Sequence, residues 1–377
     1  MSATQRLLAL AYPHRLAAKR GLALVNRVLP RPLSRRVSAM AEKLAFMATP
    51  GYQGDTLPPI FHYWSHKYLA PKLAELGLRS PEDLYFRESA RHAAEHGGRR
   101  IAILSLGSGA AHMEIALLGK LRAAGVDATI ECVDFNPALK AAADAQARRR
   151  GLDAAFGFRI ADCNALAATG TYDIVIVNQF FHHVENLEGF CAAIRAQLAP
   201  SGRLLTCDVV GRNGHALWPG VDRHVQAAWR TLAEDKRFDR HFGACRRAYA
   251  SVDHAAYSNE GVRAQDIVAS LLGHFDFTLF LSYGGRIMPF VERRIGFNFD
   301  PGSEADMAFI DRVADADEAA IADGEYPASN MIAVLGHRGT VAAGRHVPVS
   351  PDEHVRLTRN QLALAQPSAA RTNRVAA

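Results

Sequence analysis

No run of about 18 apolar residues occurs in the 377-residue chain, so an ordinary transmembrane helix is not expected. Nor does the start read as a secretory leader. Met1–Leu10 is short and interrupted by Arg6, and further charge follows it at Arg15, Lys19 and Arg20. Cysteine is scarce: Cys132, Cys163, Cys191, Cys207 and Cys245 are odd in number, widely spaced, and form no CxxC or Cys/His zinc pattern. A disulfide framework is thereby excluded, no metal is expected, and a reduced, cytoplasmic setting is the reading. Acidic residues are missing before Glu42, whereas Arg6, Arg15, Lys19, Arg20, Arg27, Arg31, Arg35 and Arg36 all precede it. The tail after Gly339 adds Arg345, Arg356, Arg359, Arg371 and Arg374, so much of the net charge of +6 sits in terminal arms. That distribution disfavours a nucleic-acid groove. The first 47 residues interleave Leu, Val and Ala with Arg and Lys; a solvated basic arm is the preferred reading over peripheral membrane contact.

What is present is enough apolar residue for a sizeable core, 49% hydrophobic against 22% charged. Residues 1–98 read as a helical N-terminal extension, broken at Pro30, Pro32, Pro50–Gly51 and Pro58–Pro59, with an aromatic cluster around Tyr63 and Trp64. From Ile101 the chain alternates strand-like and helix-like runs, the pattern of a parallel α/β sheet. The strands are expected at Ile101–Leu106, Ala128–Val133, Ala155–Ile160, Tyr172–Val177 and Arg203–Val209, then at Phe275–Leu281 and Met331–Leu335. A seven-stranded, mostly parallel, Rossmann-like sheet results, occupying residues 99–338 with insertions near 211–260 and 284–328. The second insertion carries an amphipathic helix from Glu304 to Ile321, and 339–377 reads as a flexible tail.

Chemistry concentrates at the strand ends. Gly107 and Gly109 lie where the first strand turns into its helix, where a backbone without Cβ can approach a nucleoside closely. Asp134 ends the second strand, placed for two ribose hydroxyls. A dinucleotide fingerprint would require a third glycine where His112 stands. A nicotinamide oxidoreductase is therefore disfavoured against a phosphate-free nucleoside cofactor.

The segment Ile103–Leu117, ILSLGSGAAHMEIAL, resembles motif I of the class I S-adenosylmethionine (SAM) methyltransferases. Four further stretches are similar to the family's later motifs, in order: Val133–Pro137, Ala161–Cys163, Asp173–Val175 leading to Phe181–Val184, and Leu198–Leu204. The resemblance covers roughly Arg100 to Val210, plus a terminal antiparallel pair. It implies SAM as cofactor, held by Gly107, Ser108, Gly109, Glu114, Asp134, Phe135, Asp162, Cys163 and Asn178. Two positions depart from the pattern: Ser105 stands where an acid is usual, and Ala111 where a third glycine is usual. Glu114 is the candidate replacement for that acid.

His182 and His183, just past the fourth strand, and His215 in Gly211-Arg212-Asn213-Gly214-His215, just past the fifth, are the catalytic candidates. An imidazole there would face the transferred methyl group and could serve as general base. The expected acceptor is a small or medium-sized metabolite, since the covering segments are large; whether oxygen, nitrogen or carbon receives the methyl is open. An RNA or protein methyltransferase is the alternative, although Asn178-Gln179-Phe180-Phe181 lacks the prolines of the amino-methylating signature. A SAM-binding protein without transfer activity is the other. Cys163 and Cys207 read as packed thiols rather than nucleophiles.

Overall fold

A computed structural model describes residues 57–340 and 343–365. The basic arm of residues 1–47 and the end of the tail lie outside the described residues.

Five short apolar strands form the centre: β1 (Ile101–Leu106), β2 (Ala128–Asp134), β3 (Phe156–Ile160), β4 (Tyr172–Asn178) and β5 (Leu198–Val209). Side chains alternate across a strand, so both faces must be apolar when helices cover both. Ile101, Ile103, Ile174, Ile176 and Leu205 join one buried cluster. Leu104, Leu106, Val175, Val177 and Leu204 join the other. The three-layer α/β architecture follows from that alternation.

A two-residue pair, β6 (Phe238–Asp239) with β7 (Ala244–Cys245), stands apart from the main sheet. Three further strands complete the main sheet: β8 (Phe275–Tyr283), β9 (Asn330–His337) and β10 (Arg345–Val347). The order is β10-β8-β9-β5-β4-β1-β2-β3, with β9 antiparallel to both neighbours. The chain leaves β1 toward β2 and β3, then returns to the other side of β1 with β4. Such a reversal opens a crevice at the carboxyl ends of β1 and β4.

The sheet has eight strands rather than the expected seven. The additional strand comes from the stretch read as a flexible tail: β10 runs parallel to β8 and is followed by a helix, Pro351–Ala365. That helix buries Pro351, His354, Leu357, Thr358 and Gln361. The spacing is helical, but the stripe is largely polar, and hydrophobic periodicity therefore misses it. The first insertion likewise contains a helix, Pro219–Arg230, burying Val221, Val225 and Trp229. The second contains the helix Glu304–Ala322, with Ile310, Val313, Ala314 and Ile321 buried.

The described part of the N-terminal extension is helical at Pro59–Trp64, Ala70–Glu75 and Pro81–Glu95. Its aromatic cluster packs on the body of the protein. Trp64 is buried against Tyr283, and the Tyr63 and Tyr68 hydroxyls each donate to Asp311 at 3.0 Å. No described helix is long and apolar enough to cross a membrane.

Candidate active site

The crevice is built from consecutive strand ends. At the end of β1, the Gly107 N–H donates to the Val133 carbonyl at 2.8 Å, which bends the chain over the tip of β2. Gly107 has φ of 70°, and a Cβ there would lie 2.1 Å from the Phe180 ring. The position thus requires glycine twice over, for conformation and for contact. Gly109 faces open space. Asp134 accepts from the Gly109 N–H and the Asn136 N–H, each at 3.0 Å, one through each carboxylate oxygen. Each oxygen keeps a further acceptor position.

Phe135 and Ile160 are two of the few large apolar side chains left exposed, at 49% and 48%. They flank Asp134, Phe135 in sequence and Ile160 as its register partner on β3. Next to them, Asp162 caps the turn Cys163–Ala165 by accepting from the Asn164 N–H at 2.9 Å. Two exposed apolar side chains beside a ribose-type carboxylate suit a flat base stacked above a sugar. These features fit a nucleoside cofactor.

Ser105 donates to Glu114 at 2.7 Å, and both side chains are buried. The carboxylate that β1 lacks is therefore delivered beside it from the following helix, His112–Ala123. Burial raises the Glu114 pKa, with the Ser105 hydrogen bond opposing it. The Asn178 side chain is engaged by the Tyr85 hydroxyl at 2.9 Å. Cys163 and Cys207 are buried thiols, each pushed up to about 12 by burial. Neither ionises near neutrality. His112 starts its helix with an exposed ring bonded to Gln146.

On the other side of β1 the histidines converge. Phe181–His183 is a single 3₁₀ turn after β4. Asp208, fully buried near the end of β5, clamps it: one carboxylate oxygen accepts from the Phe180 and Phe181 N–H groups at 2.8 and 2.7 Å. The other oxygen lies 2.6 Å from His182 Nδ1. His182 Nε2 and His215 Nε2 both approach one oxygen of Glu260, at 3.4 and 3.3 Å. Burial disfavours the charged form of His182, yet the Asp208 and Glu260 carboxylates outweigh it and push the imidazole up to about 10. Burial also opposes ionisation of Glu260, but its two imidazole partners hold it well below the usual carboxylate range.

His183 is in the opposite state. Burial and the neighbouring His182 both lower its pKa. Its Nδ1 lies 3.2 Å from the Asn259 carbonyl, which can only accept. Nδ1 therefore carries the proton and Nε2 the lone pair. The His183 ring is 5.9 Å from Phe180, whose own ring covers Gly107.

Backbone strain marks the same crevice. Among the described residues, the non-glycine positions with positive φ are Ala111, Gln179 and His215. One lies after each of β1, β4 and β5. Such conformations cost about 1–3 kcal/mol each and persist where the surroundings dictate them. His215 is fixed by the closeness of residues 253–265: the Gly214 N–H donates to Gly261, and a Cβ at Gly214 would fall 1.9 Å from an Asp253 oxygen.

The structure thus gathers Gly107, Ser108, Gly109, Asp134, Phe135, Asp162 and Cys163 on one flank, and His182, His183 and His215 on the other. Sequence reading missed Asp208 and Glu260. Asp208 carries a signal in retrospect, a lone acid in the apolar run Leu204–Val210. Glu260 carries none, because its role depends on folding of the insertion. A separate cavity of about 320 Å³, lined by His224, Thr231, Arg286, Phe309 and Arg312 among others, contains none of these residues.

Residues 104–206 match a family model described as a methyltransferase domain. No curated protein matches the chain. Among solved structures, an O-methyltransferase of a trans-AT polyketide synthase from Brevibacillus brevis, in complex with S-adenosylhomocysteine, is 12% identical. It covers 74% of this chain and 77% of its own, with a TM-score of 0.39. The [4+2]-cyclase SpnF is 17% identical, covering 67% of this chain and 81% of its own at a TM-score of 0.37. Coclaurine N-methyltransferase, bound to N-methylheliamine and S-adenosylhomocysteine, is 19% identical at a TM-score of 0.30. That match spans 36% of this chain and only 39% of the enzyme's length. Over residues 104–206 the chain is thus similar to methyltransferase domains.

Proposed function

We propose that the protein transfers a methyl group from SAM to a hydroxyl of a small or medium-sized metabolite. The observation that carries this reading is the unbroken contact from Gly107 through Phe180 to His183, which joins the nucleoside flank to a neutral imidazole. When bound, SAM supplies an electrophilic methyl on a sulfonium. Asp134 would hold the ribose, Phe135 and Ile160 the adenine faces, and Asp162, with Cys163 at its turn, the adenine edge. Glu114, paired with Ser105, would neutralise the methionine ammonium. Asn178, set by Tyr85, would line the floor between the two flanks.

Displacement at a methyl carbon needs alignment and exclusion of water more than acid–base chemistry. A hydroxyl acceptor, however, must lose its proton. His183 Nε2 is the proton acceptor the arrangement provides, its tautomer set by the Asn259 carbonyl. His182 is unsuited to that task because both its ring nitrogens face carboxylates. His215 and the 211–215 turn form the acceptor's outer wall.

The test is formation of S-adenosylhomocysteine from SAM with a panel of hydroxyl, amine and carbon acceptors. Turnover with hydroxyl compounds, abolished in His183→Ala, supports the reading. Turnover confined to amines or to macromolecules overturns the acceptor class. SAM binding without turnover on any acceptor would leave a binding protein.

A further inference from the structure

We propose that His182, His215 and Glu260 form a binding site for one divalent transition-metal ion, with Asp208 fixing the His182 ring. The three side chains come from three places: the turn after β4, the turn after β5, and the loop that closes the first insertion. Their ligand atoms all lie within 4.8 Å of one another.

The geometry favours an ion over a simple ion pair. The two Nε2 atoms stand 3.4 and 3.3 Å from a single Glu260 oxygen. Those distances are long for charged hydrogen bonds, which are about 2.7–2.9 Å. They equal the ligand–ligand edge of about 3.4 Å in a tetrahedron of metal bonds about 2.1 Å long. Two imidazoles and one carboxylate are a donor set used by zinc, and three protein ligands leave a fourth position open. His182 also has the outer partner that metal-bound histidines use, a carboxylate on the second ring nitrogen, here Asp208 at 2.6 Å. That carboxylate is itself held by the N–H groups of Phe180 and Phe181.

Charge agrees. With both imidazoles unprotonated, as metal ligation requires, Asp208 and Glu260 leave the cluster two negative charges, which a divalent cation would balance. Exposure falls inward in the right order, with side chains 42% exposed at Glu260, 25% at His215 and 6% at His182.

The claim that an ion binds stands by itself; the ion's part in catalysis rests on the function proposed above. In that setting an ion held by His182, His215 and Glu260 would polarise the acceptor hydroxyl, whose proton His183 Nε2 would take as the methyl passes from the sulfonium sulfur to the oxygen.

The experiment is calorimetric titration of zinc chloride into the full-length protein after dialysis against a chelator, with circular dichroism of every variant. One equivalent should bind at micromolar affinity or tighter. His215→Ala and Glu260→Gln should each weaken binding at least tenfold, and Asp208→Asn by about 10–100-fold. His183→Ala should leave it unchanged. Because His215 and Glu260 are partly exposed, their variants keep the test open should Asp208→Asn not fold. Absence of saturable binding, or wild-type binding in both folded His215→Ala and Glu260→Gln, overturns the site. SAM titration of the same samples separates the two claims: zinc binding without SAM binding sustains the metal site and defeats the methyl-transfer reading.

Discussion

The two flanks of the crevice are built differently. The nucleoside flank is local: Gly107, Gly109, Asp134 and Asp162 lie at the ends of three successive parallel strands, tied by backbone hydrogen bonds. The histidine flank reaches further along the chain: His182 meets Asp208 across 26 residues, much as Gly109 meets Asp134 across 25, but His215 meets Glu260 of the first insertion across 45. The nucleoside flank presents backbone, apolar surface and the carboxylates of Asp134 and Asp162. The histidine flank presents a partly buried cluster of imidazoles and carboxylates. The first flank is a property of the sheet alone, whereas the second combines the ends of β4 and β5 with residues of the first insertion.

The sharpest way to break this division is at His183. Removing a general base lowers turnover by about 10²–10⁴-fold, so His183→Ala should lose that much while its SAM dissociation constant stays within about twofold. Steady-state kinetics beside calorimetry checks both. Loss of SAM affinity in this variant would mean that the flanks are one unit.

The same division explains what could be read from the chain. Motif I and Asp134 were legible because a strand end and a glycine turn occupy contiguous residues, and because the strands β1 to β5 are apolar runs. The histidine candidates were legible by position, but not by state. Nothing in Phe181-His182-His183-Val184 tells which imidazole is trapped between carboxylates and which keeps its lone pair. That distinction depends on Asp208, Asn259 and Glu260. The helices Pro219–Arg230 and Pro351–Ala365 escaped for another reason. The buried stripe of Pro351–Ala365 is largely polar, and Pro219–Arg230 carries its apolar stripe Val221, Val225 and Trp229 within an otherwise polar segment. The replacement of the usual motif I acid by Ser105 was visible, and its pairing with Glu114 is a contact only the fold supplies.

A stability effect comes next in size. His354 is buried against Phe280 of β8, and burial lowers its pKa to about 4. Its folded pKa lies below the unfolded value of about 6.5. The unfolded chain then binds the extra proton first, so stability is lost as pH falls from about 6.5 toward 4. The loss should approach about 3 kcal/mol and be largely absent in His354→Gln, as denaturant melts across that range would report. SAM affinity at neutral pH should not change in the variant.

Asp134→Ala probes the nucleoside flank directly. One charge-assisted hydrogen bond is worth about 1.5–3 kcal/mol, so SAM affinity should fall roughly tenfold or more in a folded protein. Zinc affinity should be untouched. The smallest expected effect is at the joint between the flanks. Gly107→Ala drives a Cβ into the Phe180 ring and should cost about 1–3 kcal/mol of stability. Adding Phe180→Leu should recover part of that loss, measured as melting midpoints of the double variant.

The central claim is that the crevice at the ends of β1 and β4 takes SAM rather than a dinucleotide. Titrating SAM, S-adenosylhomocysteine and NAD separately into the full-length protein, by calorimetry, tests it most directly. The account predicts saturable one-to-one binding of SAM and its product, weakened in Asp134→Ala, with no heat from NAD. Saturable NAD binding without SAM binding would contradict it.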